Sequence, residues 1–170
     1  GELDRFQVPD GFVLQKIAPK ELVGSLIAMT WGNRGRLLVS QERGPVLALT
    51  DEQNDGVYDK ATVYTADVTS CQGLCQVRDD LFVVGTGPQG AGMYRLPDAN
   101  HDDKADEVIL VTKHEGSIGE HGPHDVVLGP DGWLYHNLGN HAAIENTPEA
   151  NSPCRLYRED YVLEPKFEDA

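Results

Sequence analysis

VLALTDEQNDGVYDKATVY (residues 46–64) and GMYRLPDANHDDKADEVIL (residues 92–110) are two versions of one pattern: a short apolar strand, an acidic loop, and a second strand. Asp51 and Asp98 open the two loops and lie 47 residues apart. A second recurring unit is a turn followed by a strand: GNRGRLLV (32–39), RDDLFVV (78–84) and GPDGWLY (129–135). Measured at Leu37, Leu81 and Leu134, it returns after 44 and then 53 residues. A period of about 40–50 residues with four short strands per repeat is the signature of β-propeller blades. One such blade cannot bury both of its faces alone, so neighbours cover it radially around a channel. A β-sandwich with coincidental turns accounts for the strands, but not for two nearly identical loops at that spacing.

Short β-rich runs bounded by Gly, Asp, Asn and Pro recur along the rest of the chain. The expected strands are 13–17, 26–31, 36–41, 46–50, 61–65, 74–77, 81–86, 92–96, 107–112, 125–128, 133–138 and 155–158, and only 19–23 suggests a short helix. The expected fold is therefore all-β, a propeller of about six blades when complete, with about three of them in this chain. The approximate blade units are residues 24–66, 71–112 and 121–170. Three units make an incomplete ring with open edges and apolar end faces. Further blades of a longer chain, or a partner chain, are expected to close it.

Composition narrows the function. With 28 acidic against 14 basic residues the net charge is −14, which repels a phosphate backbone and attracts cations, so nucleic acid is excluded as a natural partner. No apolar run reaches the roughly 20 residues that a membrane span needs. Cys71, Cys75 and Cys154 are too few for a disulfide framework and form no CxxC motif. A Cys71–Cys75 bridge stays open, with buried thiols as the expectation.

The acidic loops place Asp51, Gln53, Asp55 and Asp59, and then Asp98, Asn100, Asp102 and Asp106, at positions 1, 3, 5 and 9. Val57 and Lys104 stand at position 7, where a backbone carbonyl can serve. Calcium takes six to eight oxygen ligands, and alternating side chains on a tightly wound loop converge on one ion. Position 12 would be Thr62 or Ile109, and strands rather than helices flank the loops, so these are not EF-hands. A solvated acidic hairpin without metal is the plain alternative. At position 6, Gly56 suits the positive φ of such a turn, and Asp103 suits it less.

GEHGPHDVVLGPDGWLYHNLGNH (119–141) holds four of the six histidines. Its Gly-Pro-Asp-Gly turn makes a hairpin that brings His124 toward His136 and Asn137, with His121 and His141 beyond the strand ends on one rim. Three uses are open: general-base catalysis by a histidine beside a carboxylate; a transition-metal site of His121, His124, His136 and His141; or plain bonding to loop backbone.

FQVPDGF (6–12), MTWGNRGRL (29–37), YRLPD (94–98) and EHGPHDVVLGPDGWLY (120–135) resemble the soluble quinoprotein sugar dehydrogenases and their sorbosone-dehydrogenase-like relatives. Closer still is the resemblance to the propeller domain of planctomycete-type "membrane-bound dehydrogenase" proteins. It implies a periplasmic or secreted protein that oxidises a sugar or alcohol. It places His121 as the base that removes a hydroxyl proton, Glu120 as its acidic neighbour, and pyrroloquinoline quinone as cofactor of the complete protein. Two readings stand beside this one. The first is a non-catalytic, calcium-stabilised scaffold that binds carbohydrate or a protein partner. The second is a subunit of a redox complex with a separate haem domain.

Overall fold

The computed structural model describes residues 2–145 and 150–151. Strands β1 (Leu26–Trp31), β2 (Leu37–Gln41), β3 (Val46–Thr50) and β4 (Lys60–Thr65) form an antiparallel sheet in sequence order. Strands β5 (Thr69–Val77), β6 (Asp80–Gly87), β7 (Gly90–Pro97) and β8 (Ile109–Glu115) repeat that meander. β9 (Pro123–Leu128) and β10 (Leu134–Leu138) make a hairpin, and β11 (Ala143–Ile144) returns to pair with the edge of β8. The described residues are thus all-β and antiparallel, with one short α-helix, α1 (Lys20–Val23), and two 3-10 turns, Glu2–Arg5 and Asn33–Gly35.

Side-chain alternation explains how the sheets stack. On the first sheet Leu38, Val46, Ala48 and Tyr64 face the second, where Cys71, Leu74, Leu81, Val83, Tyr94 and Leu96 meet them. Leu37, Val39, Leu47 and Leu49 point the other way and are covered by Ala18, Leu22, Val23 and Tyr58. With both faces buried, β2 and β3 read as continuous apolar runs rather than as alternating ones. The opposite face of the second sheet, with Cys75, Phe82, Val84 and Met93, packs on Val126 and Leu134 of the hairpin. Strands β1, β5 and β9 also pack in series.

The repeat is written in the backbone as well. Gly24, Ser70 and Gly116, each 46 residues from the next, all have positive φ. Arg43 and Gly90 share it in the β2–β3 and β6–β7 turns. Ser70 and Arg43 adopt this conformation without being glycine, which is rare for such residues.

Some expectations change. Residues 13–17 form no strand: they find no ladder partner, and Val13 is 92% exposed. The expected strand 155–158, Cys154, and the end of the unit 121–170 lie outside the described residues. Cys71 and Cys75 are free, buried thiols on opposite faces of β5, in two different core clusters, so no bridge joins them. Burial pushes the Cys71 thiol up to about 12, which leaves it unreactive near neutrality.

Candidate functional site

The two acidic loops join β3 to β4 and β7 to β8, and the same hydrogen-bond skeleton folds both. The carboxylate at position 1 accepts from the backbone N–H groups at positions 5 and 6: Asp51 from Asp55 (3.2 Å) and Gly56 (2.7 Å), Asp98 from Asp102 (3.0 Å) and Asp103 (3.2 Å). The position 5 carboxylate accepts from position 7, as Asp55 from Val57 and Asp102 from Lys104. Position 9 reaches back to position 2, as Asp59 to the N–H of Glu52 and Asp106 to that of Ala99. That backbone bond is the largest cause of the lowered Asp59 pKa. Positions 4 and 6 are left-handed in each: Asn54 and Gly56 in the first loop, His101 and Asp103 in the second.

Asp103 therefore adopts the positive φ that its type disfavours, and its side chain explains how. Arg34 Nη2 and Arg36 Nε, from the turn between β1 and β2, hold its two oxygens at 3.1 and 2.8 Å. Arg34 also donates to the His101 carbonyl, and Asn33 to the Arg78 carbonyl. This bridge ties the first sheet to the second acidic loop. Sequence reasoning missed Arg34 and Arg36 as site residues, although two arginines in one turn of so acidic a chain were a usable signal.

The donors suit a hard cation: positions 1, 3, 5 and 9 carry only carboxylate or amide side chains in both loops. A carboxylate oxygen that accepts one N–H keeps a second lone pair for an ion. Gln53 and Asn100 differ in use, since the Gln53 amide donates to Asp59 whereas Asn100 Oδ1 accepts from the Asp102 N–H. Among the described residues no group of three or more His, Cys, Asp or Glu side chains is gathered as a bound ion requires. An ion would have to draw these oxygens inward.

The histidine segment folds as the expected hairpin. Asp131 caps the turn, accepting from the Trp133 N–H and the Tyr135 hydroxyl. At the other end Asn137 Oδ1 accepts from the Asp125 N–H, and His136 Nδ1 donates to the Asp125 carbonyl at 2.8 Å. Beyond the strands, Gly139 N–H donates to the Gly122 carbonyl and His141 N–H to the His121 carbonyl. A side chain on Gly139 would overlap the His121 carbonyl oxygen, so that approach needs glycine.

The contacts sort the histidines into distinct pairings. His121 Nδ1 donates to Asn140 Oδ1 at 3.1 Å, and its ring lies 4.7 Å from that of His141. The proton on Nδ1 leaves Nε2 as the basic nitrogen of an exposed ring. His124 donates to the Glu120 carbonyl, so Glu120 enters the site through its backbone. His136 is drawn away to His114, a residue no motif singled out: their Nε2 atoms are 3.1 Å apart and their rings stack at 4.8 Å.

A family model described as a domain of unknown function (DUF7133) matches residues 1–169. Among solved structures, the chain is similar to the crystal structure of a protein from Thermus thermophilus described as an oxidoreductase (glucose dehydrogenase), at 17% identity and a TM-score of 0.46. The match covers 69% of this chain and 38% of that one, so the chain spans well under half of its length. No curated protein matches the chain.

Proposed function

We propose, for a chain that belongs to the DUF7133 family, that it is a segment of a calcium-stapled β-propeller. The observation that carries this reading is the shared skeleton of the two acidic loops, position for position, at an interval of 47 residues. Asp51, Gln53, Asp55, Asp59 and the Val57 carbonyl would hold one ion. Asp98, Asn100, Asp102, Asp106 and the Lys104 carbonyl would hold the other. Calcium there joins two strands of one sheet, a structural rather than a catalytic task. Weak oxygen sites of this kind suit the calcium-rich space outside the cytoplasm, in keeping with a periplasmic or secreted protein. The exposed Val127 and Tyr135 on the outer face of the β9–β10 hairpin suit a further blade or a partner chain. Among the described residues no helix is long and apolar enough to cross a membrane. The test is a thermal melt: chelator should lower the midpoint and added calcium restore it, and a midpoint indifferent to both would end the reading.

A second reading gives the same framework a reaction, the oxidation of a sugar or alcohol. Its support is the His121 geometry together with the motif resemblance of residues 120–135. His121 Nε2 takes the hydroxyl proton, while Asn140 Oδ1 holds the Nδ1–H and stabilises the imidazolium. Pyrroloquinoline quinone would supply the hydride acceptor in the complete protein. Arg34, Arg36, Lys60, Arg95 and Lys113 are each ion-paired with an acid of this chain, so none is offered to the carboxylates of a quinone. These five cations therefore do not fit that cofactor. With full-length protein, quinone and calcium, His121→Ala should cut dye reduction at least about 100-fold. Turnover that survives the substitution would remove His121 from the chemistry and favour the scaffold reading.

A further inference from the structure

His114 lies on β8 at 3% exposure, yet it is bonded to a side chain of another unit, and its Nδ1 has no partner. The proton count of the pair follows from its acceptors. The Asp125 carbonyl can only accept, so His136 carries its proton on Nδ1 and offers a lone pair at Nε2. The bond between the rings then requires His114 to carry its proton on Nε2, which leaves a bare Nδ1 in the core. Two neutral rings hold two protons, and both are placed. A third has no good position: on His114 Nδ1 it makes a buried cation whose N–H lacks an acceptor, and on His136 Nε2 it sets N–H against N–H.

We propose that the His114–His136 pair is an acid-sensitive latch that docks the β9–β10 hairpin on the second sheet when both rings are neutral and releases it when a third proton arrives. Its placement fits that task, since β8 belongs to the second sheet and β10 to the hairpin whose end carries Gly139, Asn140 and His141 against His121. Release would therefore loosen the rim that orients His121. Asp125 and His124 on β9 are the charged or titratable groups that act on His136. On β8, Glu115 and Lys113 flank His114, with Lys113 neutralised by Glu145 at 2.9 Å, and β11 sets Ile144 opposite it. Burial first, then the His136 charge, lowers His114 to about 4, and burial lowers His136 against the pull of Asp125.

The sign follows from linkage. The unfolded chain takes up these protons near the ordinary histidine value, and the folded chain only at lower pH. Docking is therefore complete above about pH 6.5 and weakens as pH falls toward about 4. The test is amide hydrogen exchange, corrected for intrinsic rates, at Val126, Val127 and Tyr135 compared with residues 81–84 of β6. Between pH 7 and pH 5 the hairpin should lose protection about 10-fold or more relative to β6. His114→Phe, which keeps a planar ring but cannot titrate, should shrink that difference to the part that His136 alone contributes. Unchanged protection in the unmodified protein, or an equal loss in the variant, would overturn the latch. Should the variant fail to fold, ring-nitrogen NMR of the unmodified protein decides: both rings neutral at pH 6 supports the proposal, and an ordinary histidine titration of either refutes it.

Discussion

Replacing Tyr94 by alanine is expected to destabilise the protein by about 3–5 kcal/mol, the range for deleting a large aromatic from a packed core. Tyr94 is 1% exposed and sits where the first and second sheets meet, with Leu38, Val46 and Tyr64 in the same cluster. Its ring lies over Gly87, where an added Cβ would come within 2.5 Å of the ring carbon Cζ. Its hydroxyl donates to the Gly90 carbonyl at 2.8 Å and accepts from the Gln89 N–H at 3.2 Å, so the same side chain also holds the β6–β7 turn. Tyr94→Phe separates the two contributions. It should cost only about 0.5–1.5 kcal/mol, because the ring stays and one hydrogen-bonding group is lost. Denaturant unfolding of both variants checks this. An alanine variant within about 1 kcal/mol of the parent would mean that the two sheets do not share this core.

The second large effect is at Asp98, and calcium divides it into two parts. Asp98 is 8% exposed and caps its loop through both oxygens. Asp98→Ala strips the Asp103 N–H of its carboxylate partner and leaves the Asp102 N–H only Asn100, which costs about 1–3 kcal/mol with or without metal. The further loss depends on calcium. An ion at 100 times its dissociation constant adds about 2.7 kcal/mol to the folded state, and the variant forfeits that increment for one loop. Measured in chelator the variant should show only the first part, and measured in excess calcium it should show the sum. Equal destabilisation in both conditions would assign Asp98 a backbone role alone.

The strands were legible because burial on both faces leaves continuous apolar runs such as Leu37–Val39 and Val46–Leu49, bounded by turn residues. The acidic loops were legible because their chemistry is local: every skeleton bond joins residues within eight positions. What escaped the sequence was long-range. The first half of β5, residues 69–73, lay outside the expected strand 74–77, yet Gly73 lies against the backbone of β9, where an added Cβ would come within 2.6 Å of the His124 carbonyl oxygen. Residues 13–17 had a strand's composition but no ladder to join. The grip of Arg34 and Arg36 on Asp103 spans 69 and 67 residues, and His114 reaches His136 across 22, so no window of sequence displays either. The His121–His141 contact was foreseeable from the hairpin turn, whereas the loss of His136 to a buried partner was not.

The most direct measurement is a calorimetric titration of calcium into chelator-stripped protein, run on the parent chain and on Asp98→Ala. Two bound ions per chain in the parent and one in the variant are the predicted result. Absence of binding in the parent, or the same stoichiometry in both proteins, would contradict the calcium-stapled framework.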